Sequence, residues 1–390
     1  MERVGMESSL AIAEAVKAAR SEVIAAYPIT PQTHIVERLA EMVANGELDA
    51  EYVPVESEHS ALSACLGSSA AGARTFTATA GQGLALMHEV LFVAASMRLP
   101  IVMAVANRAL SAPLSIWGDH SDVMASRECG WIQIFAENGQ QAYDLTLCAF
   151  RIAEDHRVLF PVMVNIDGFN VSHVVEPLYL VEQAKVDKFL PPYTHPYGLH
   201  PDRPLTMGAF GMPNIYTEVK KSQDVALRAS KKIIVEIWRE FESMTGRRYL
   251  PVESYRTDDA DILLVMMGSF SETAASAIDE LRDAGHKVGM LRIRLWRPFP
   301  FEELTAAVSK ARMLITMDRA LCFGGPSGPM CSEIQSALYP LPNRPSIVSY
   351  VGGLGGREVS VEGFKSLITQ GIQKAAQKAP GEFEMIGVRG

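Results

Sequence analysis

The chain has 390 residues, of which 36 are Lys or Arg and 45 are Asp or Glu, so its formal net charge is -9. This acidic balance argues against a nucleic-acid-binding protein, which would present a basic face. A composition of 48% hydrophobic and 21% charged residues argues against a disordered chain. At roughly 100–200 residues per domain, the length predicts two or three domains.

Helical and extended patterns alternate through the first 167 residues. They predict helices at residues 8–19, 33–43, 60–71, 84–97 and 142–154, and strands at residues 22–27, 52–55, 75–79, 100–106, 133–135 and 161–166. The segment 100–106 is continuously apolar, as expected for a strand that is buried on both faces. This alternation predicts an α/β fold with an open, mostly parallel sheet covered by helices.

The middle of the chain differs from both halves. Six prolines interrupt residues 175–212, which predicts an extended connection, and a long charged helix follows at 216–245. A second α/β unit begins near residue 258, with strands at 261–267, 287–291, 313–317 and 346–350 and helices at 272–284, 300–310, 328–338 and 361–374. We therefore expect one domain at 1–175, a connection with a long helix at 176–250, and a second domain at 251–390.

The cysteines bear on redox chemistry and location. They stand at positions 65, 129, 148, 322 and 331 without a Cys-x-x-Cys pair, which argues against a zinc site or an iron–sulfur cluster held by this chain by itself. Their odd number also argues against a disulfide framework. The first residues lack the apolar core of a signal peptide, and the apolar runs are far shorter than the ~20 residues that cross a bilayer. We expect a cytoplasmic protein with no membrane partner.

An acidic cluster precedes the helix predicted at 60–71. Glu51, Glu56 and Glu58 could simply be helix N-terminal acids that complement the helix dipole. The following helix is rich in Ala, Ser and Gly and can pack closely, so it could also hold Glu58 rigidly for catalysis. Both interpretations stay open from the pattern.

Arg108 follows the buried strand at 100–106. In parallel α/β sheets, ligands bind at the carboxyl ends of the strands, and an arginine there can grip a carboxylate with two parallel hydrogen bonds. An ion pair with Asp119 or Asp122 is the alternative.

Other motifs carry less information. Gly81-Gln82-Gly83 and the paired glycines near residues 324 and 352–356 predict tight turns, since none completes a dinucleotide or P-loop motif. The nine histidines are scattered, and the stretch 118–122 has no helical pattern to gather its polar side chains, so no metal site is expected.

Several motifs then appear in a specific order. The first half carries Tyr-Pro-Ile-Thr-Pro-Gln-Thr at 27–33, Glu58 with its small-residue helix, Thr-Phe-Thr-Ala at 75–78, Ala-Asn-Arg-Ala-Leu-Ser-Ala-Pro at 106–113 and Trp-Gly-Asp-His-Ser-Asp at 117–122. The second half adds Leu-Arg-Ile-Arg-Leu-Trp-Arg-Pro-Phe-Pro at 291–300 and Gly-Leu-Gly-Gly-Arg-Glu at 353–358. Over essentially the whole chain, this set resembles the alpha subunit of pyruvate:ferredoxin oxidoreductase and its 2-oxoacid relatives.

The resemblance implies a fold and a reaction. The family cleaves a 2-oxoacid oxidatively with thiamine diphosphate, forms an acyl-coenzyme A and CO2, and passes electrons to ferredoxin through iron–sulfur clusters. It implies a pyrimidine-type thiamine-diphosphate-binding domain followed by a transketolase C-terminal-like domain. The sequence has no Gly-Asp-Gly for the diphosphate and Mg²⁺. The resemblance therefore implies that beta, gamma and delta-type partner subunits hold Mg²⁺ and the [4Fe-4S] clusters, and that thiamine diphosphate is shared with a partner.

Roles for individual residues follow from the same resemblance. Glu58 matches the acid that hydrogen-bonds the pyrimidine ring and promotes loss of the C2 proton. Arg108 matches the residue that holds the substrate carboxylate, and Thr30 matches the hydroxyl that donates to the substrate. Pro28 and Ile29 are expected to contact the cofactor.

Several substrates and two competing functions stay open from the sequence. Pyruvate is favoured, while 2-oxoisovalerate, phenylglyoxylate and 2-oxoglutarate stay open. Oxalate is disfavoured because Pro31, not a second cationic residue, follows Thr30. Trp117 is expected to shape the pocket with Ile29, and Asp119 and His120 could be structural. A thiamine-dependent enzyme without clusters and a non-catalytic scaffold subunit are the competing interpretations.

Overall fold

The computed structural model describes residues 2–376 and 383–389. Its first half contains β1 (Glu2–Glu7), α1 (Ser8–Ala18), β2 (Val23–Ala26), α2 (Thr33–Ala44), β3 (Glu51–Pro54), α3 (Glu58–Ala70), β4 (Thr75–Thr79), α4 (Gly81–Leu86), α5 (His88–Ser96), β5 (Ile101–Asn107), α6 (Ser121–Ala125), β6 (Ile132–Phe135), α7 (Gly139–Glu154), β7 (Val162–Asp167), β8 (Val175–Leu180) and α8 (Gln183–Phe189).

The rest contains α9 (Tyr216–Thr245), β9 (Val252–Tyr255), β10 (Ile262–Met266), α10 (Phe270–Asp283), β11 (Val288–Ile293), β12 (Leu295–Arg297), α11 (Phe301–Ala307), β13 (Met313–Asp318), α12 (Pro329–Leu338), β14 (Ser346–Val351), a 3-10 turn (Leu354–Gly356), α13 (Val361–Ala376) and β15 (Glu384–Met385). None of the helices within the described ranges is long and apolar enough to cross a membrane.

Two large sheets organise the molecule. The first has seven strands in the order β12-β6-β7-β5-β4-β2-β3. Neighbouring strands in it run parallel, except that β12 is antiparallel to β6. The second has the order β15-β14-β13-β10-β11-β9, with β9 antiparallel at one edge. The predicted α/β fold with a mostly parallel sheet is confirmed.

Strand β12 links the two sheets. A single residue separates it from β11 of the second sheet, yet its Leu295 pairs with Ile134 of β6 in the first sheet. The sequence pattern does not predict this strand, because it is short and pairs with residues more than a hundred positions away.

Two predicted segments differ in the structure. Residues 175–212 are not simply extended, since they include β8 and α8, and β8 pairs antiparallel with β1 from Glu2↔Leu180 to Glu7↔Val175. This pairing joins chain segments that are distant in sequence, so no local pattern indicates it. The helix predicted at 84–97 begins earlier, at Gly81, so Gly81-Gln82-Gly83, predicted as a tight turn, is its first turn. It also consists of two helices, α4 and α5, which meet at Met87.

Buried apolar residues of the described chain form three clusters. One lies between the first sheet and α1, α2, α7 and α9, and another lies between the second sheet and α10 and α13. The remaining cluster runs from α3 and α5 across to β11, α11 and α12, so it belongs to both sheets. The two halves of the chain therefore share a core.

The long helix α9 matches its predicted bounds. Its C-terminal part buries Ile234, Trp238 and Phe241 in the cluster around α7. Lys231 forms ion pairs with Glu302 and Glu303 of α11, which belongs to the second half. The helix thus contacts both halves of the molecule.

Candidate functional site

The strand order brings four functional segments to one edge of the first sheet. Strands β5, β4, β2 and β3 are neighbours and all run parallel, so their carboxyl ends lie side by side. The segments that leave these ends carry Arg108, Gly81–Gly83 at the start of α4, Thr30 and Glu58 respectively. This is the edge at which open α/β sheets bind ligands.

Glu58 begins α3, where the preceding Ser57 caps the helix by accepting from the Ser60 N–H. Its side chain is 7% exposed, and none of the described residues hydrogen-bonds its carboxylate. A Cβ atom added at Gly83 would lie 2.7 Å from Glu58 Cγ and 2.8 Å from Oε1. The acid is therefore pressed against the first turn of α4, with its hydrogen-bonding capacity unused.

Arg108 leaves the end of β5 and is also 7% exposed. Its Nε donates to the Ser115 main-chain oxygen at 2.8 Å, and its Nη1 donates to the Thr30 main-chain oxygen at 3.0 Å. Nη2 has no hydrogen-bond partner among the described residues. Burial lowers the pKa of Arg108, and the charges of Asp122 and Glu58 oppose this shift, so Arg108 and Glu58 lie in one electrostatic environment.

The turn after β2 presents Thr30 at the surface. Its backbone is braced because Gln32 Nε2 donates to the Tyr27 main-chain oxygen at 2.7 Å, and the Gln32 N–H donates to the Ile29 oxygen at 2.9 Å. The Thr30 hydroxyl has no partner among the described residues, and Ile29 is half-buried beside it. Pro28 is exposed in the same turn.

Trp117 stands near this turn on the loop that follows Arg108. The residue is 52% exposed, and its ring stacks on Phe169 with 4.6 Å between ring centroids. A Cβ atom added at Gly356 would lie 2.6 Å from Trp117 Cβ, so the second half of the chain backs this loop.

Asp122 organises the site, a role that the sequence analysis missed. Its Oδ2 accepts from the main-chain N–H of Gly81 and from that of Arg108, each at 2.9 Å. Its Oδ1 accepts from Asn107 Nδ2 at 3.0 Å. Burial raises the pKa of Asp122 to about 6, although these hydrogen bonds act in the opposite direction.

The structure settles the alternative partners of Arg108. No ion pair joins its guanidinium to Asp119 or Asp122 in the described chain; Asp122 binds the Arg108 backbone instead. Asp119 accepts from Ser121 and from the Gly355 N–H. No local sequence signal marks Asp122, because its partners are main-chain N–H groups that almost any residue could offer; the close approach that Gly81 permits is to the Arg108 side chain, 2.9 Å from an added Cβ atom.

Asp167, at the end of β7, joins the two halves behind the site. It contacts His120 Nε2 at 2.8 Å and Arg319 Nη1 at 2.5 Å, and it accepts from the Ser269 hydroxyl at 2.6 Å. Burial opposes the charge on Asp167, but Arg319, His120 and Ser269 outweigh burial and hold its pKa well below the usual range. His120 thus has a structural role as a partner of Asp167.

Family models match both halves of the chain. Residues 14–239 match "Pyruvate flavodoxin/ferredoxin oxidoreductase, thiamine diP-bdg", and residues 260–364 match "Pyruvate:ferredoxin oxidoreductase core domain II". Two solved structures share the fold. A 2-oxoglutarate:ferredoxin oxidoreductase from Magnetococcus marinus matches with a TM-score of 0.71 and 20% identity, over 95% of this chain and 65% of that chain. A split-gene transketolase matches with a TM-score of 0.56 and 11% identity, over 94% of this chain and 97% of that chain.

Similar sequences extend over nearly the whole chain. Pyruvate synthase subunit PorA of Methanocaldococcus jannaschii is 50% identical, over 94% of this chain and 93% of the relative. Ketoisovalerate oxidoreductase subunit VorA of Pyrococcus abyssi is 44% identical, over 93% of this chain and 91% of the relative. With these similarities along both halves, the chain belongs to the pyruvate flavodoxin/ferredoxin oxidoreductase family.

Proposed function

We propose that the chain is the alpha subunit of a 2-oxoacid:ferredoxin oxidoreductase that converts pyruvate and coenzyme A to acetyl-coenzyme A and CO2. Relatives from several organisms that are named pyruvate synthase subunit PorA, at 44–50% identity, support this substrate. The VorA relative, at 44%, makes 2-oxoisovalerate the second candidate. The single observation that carries a catalytic role, rather than a scaffold role, is the buried Glu58 carboxylate without a hydrogen-bond partner among the described residues.

The residues at the sheet edge suit the pyrimidine half of thiamine diphosphate. A buried carboxylate is costly without a partner, so the Glu58 environment favours a ligand that hydrogen-bonds it. Thr79 Oγ1 is a buried polar atom without a partner in the described chain, and it faces the same Gly83 position as Glu58. When bound, thiamine diphosphate supplies the C2 atom that attacks the 2-oxoacid carbonyl.

Each residue then has a definite task. Glu58 holds a proton at the pyrimidine ring nitrogen, and its buried surroundings strengthen that hydrogen bond. Arg108 uses its unpartnered Nη2 for the substrate carboxylate, while Nε and Nη1 keep the guanidinium in place. Thr30 donates its hydroxyl to the substrate from a braced turn, and Pro28 and Ile29 pack along the cofactor.

The remaining machinery is proposed to lie in partner subunits. This chain lacks Gly-Asp-Gly for a diphosphate and Mg²⁺ site, and its five cysteines are all free and dispersed. We place Mg²⁺, the [4Fe-4S] clusters and the contacts with ferredoxin in beta, gamma and delta-type chains. Free cysteines also support a location in the cytoplasm.

The experiment that tests the catalytic role compares two glutamates at the same helix. The assembled complex carries Glu58→Gln or, as a control, Glu56→Gln, whose exposed carboxylate accepts from Ser60. We expect Glu58→Gln to slow hydrogen–deuterium exchange at C2 of bound thiamine diphosphate by ~100-fold or more, and Glu56→Gln to leave it unchanged. Normal exchange in the Glu58→Gln complex would favour the scaffold interpretation.

The substrate is tested separately with the wild-type complex. We expect kcat/KM for pyruvate to exceed that for 2-oxoisovalerate, phenylglyoxylate and 2-oxoglutarate, with coenzyme A and ferredoxin present. A higher kcat/KM for 2-oxoisovalerate would assign the chain to that substrate, while the role of Glu58 would stand.

A further inference from the structure

Three potential metal ligands converge beside the Phe169 ring, which also stacks on Trp117. Glu7 ends β1, His34 lies in the first turn of α2, and His173 lies in the loop after β7. One ligand atom from each residue lies within 4.8 Å of the other two, and all three side chains are half-buried. The sequence analysis expected scattered histidines, so it did not foresee that two of them meet here.

The backbone around this cluster is held firmly on two sides. Glu7 pairs with Val175 in the β1–β8 ladder, and the next residue, Ser8, donates its N–H to the Val174 oxygen at 3.1 Å. Ser9 donates both its N–H and its hydroxyl to the Ser172 oxygen, the latter at 2.6 Å. The strand that carries Glu7 and the loop that carries His173 are therefore fixed relative to each other.

The contacts inside the cluster leave ligand positions open. Glu7 Oε1 contacts His34 Nδ1 at 2.7 Å, and the His34 and His173 rings are 4.5 Å apart between centroids. His173 Nδ1 contacts the Ser172 hydroxyl at 2.7 Å, and its Nε2 has no hydrogen-bond partner among the described residues. Such a hydrogen bond to one ring nitrogen is the usual way to orient a histidine whose other nitrogen binds a metal.

The charges also suit a cation. Glu7 contributes a negative charge beside the two imidazoles.

We propose that Glu7, His34 and His173 bind a divalent first-row transition metal ion of the Zn²⁺ type. Two imidazoles and one carboxylate match zinc chemistry, whereas Mg²⁺ and Ca²⁺ prefer oxygen ligands throughout. Bond lengths of ~2.0–2.2 Å place zinc ligands roughly 3.4 Å apart. The Glu7 and His34 atoms, which are 2.7 Å apart, must therefore separate slightly when the ion binds, while any pair near the 4.8 Å limit must move closer. The site is separate from the proposed cofactor pocket and does not depend on the proposed function.

The ion would also brace the pocket wall. The His173 ring lies 4.7 Å from Phe169, and Phe169 stacks on Trp117. A metal-bound His173 cannot change its rotamer freely, so metal binding restrains the row of rings formed by His173, Phe169 and the exposed Trp117.

Zn²⁺ binding to the full-length chain tests the proposal, measured by isothermal titration calorimetry. We expect one Zn²⁺ per chain in the wild type and at least ~10-fold weaker binding in His34→Gln and in His173→Gln. His59→Gln, an exposed histidine elsewhere, and Cys322→Ser, a partly exposed thiol, serve as controls and are expected to bind like the wild type. Unchanged binding in both cluster variants would overturn the proposal, and so would an equal loss in the controls.

Co²⁺ provides a second readout that also guards against a folding artefact. Bound Co²⁺ should show visible d–d bands without sulfur charge-transfer absorption, and Glu7→Gln should weaken them while thermal unfolding stays within a few degrees of the wild type. Sulfur charge-transfer bands, or d–d bands that persist in His173→Gln, would place the ion elsewhere.

Discussion

Arg108 Nη1 donates to the main-chain oxygen of Thr30 across 3.0 Å, so the two residues assigned to the substrate are already held together in the free chain. One lies after β5 and the other after β2, on either side of β4. This bond aligns an arginine and a hydroxyl that a small 2-oxoacid would have to reach at once. Preorganisation of this kind reduces the entropy that substrate binding must offset.

Replacement of Arg108 should weaken substrate binding more than folding. We expect Arg108→Ala to lower kcat/KM for the 2-oxoacid by ~10–100-fold, mainly through KM, because it removes a charge-assisted hydrogen bond of about 1.5–3 kcal/mol. The kcat/KM of Arg108→Lys should lie between those of the wild type and Arg108→Ala, since lysine keeps the charge but lacks the planar guanidinium group. Steady-state kinetics of the assembled complex are the measurement, and unchanged kinetics in both variants would remove Arg108 from the site.

Glycine 83 offers a steric test of how Glu58 is positioned. The methyl group of Gly83→Ala would meet Glu58 and Thr79 at 2.5–2.8 Å, so the acid must move. We expect kcat to fall by ~100-fold. Gly67→Ala, on the helix that begins with Glu58, is the control because nothing lies within 4 Å of the new methyl. That variant should keep full activity and gain about 0.5–1 kcal/mol in unfolding free energy.

Asp122 should act as a positioning residue through the backbone of Gly81 and Arg108. Asp122 accepts from N–H donors on both of its oxygens, and in Asp122→Asn one of the two positions becomes an amide donor that faces such donors, so we expect kcat/KM to fall ~10-fold or more. Burial raises the pKa of Asp122 to about 6, so protonation as the pH falls through 6 likewise places a donor against these N–H groups. The pH–rate profile of the wild type should therefore decline below about pH 6, and the variant should lack that decline. An identical acid limb in both would contradict the role.

Asp167 should matter for stability. Asp167→Asn leaves the Arg319 charge buried without its counter-charge, and we expect the unfolding free energy to fall by about 3–5 kcal/mol. The exposed pair of Arg20 and Asp187 is the control, and Asp187→Asn should cost less than about 1 kcal/mol. Urea denaturation of the two variants measures both values; equal small losses would mean that the Asp167 contacts contribute little.

The sequence predicted most helices and strands within a few residues, because their apolar spacing is a local property. Strand 75–79 and helix 216–245 match the structure in their bounds. Strands β1, β8 and β12 escaped prediction since each is stabilised by a partner far away in the chain. Periodicity carries no information about such pairings.

The candidate site likewise combines features that the sequence predicts with contacts that only the folded chain shows. The family resemblance that the motifs carry predicts Thr30, Glu58 and Arg108 as site residues, and their catalytic and binding roles stay predictions. Only the tertiary structure decided that Arg108 grips the Thr30 backbone, that Asp122 binds two main-chain N–H groups, and that Asp167 closes on Arg319. It also decided that Glu7, His34 and His173 meet, since these contacts depend on the order of parallel strands and on the way the second half packs behind the first.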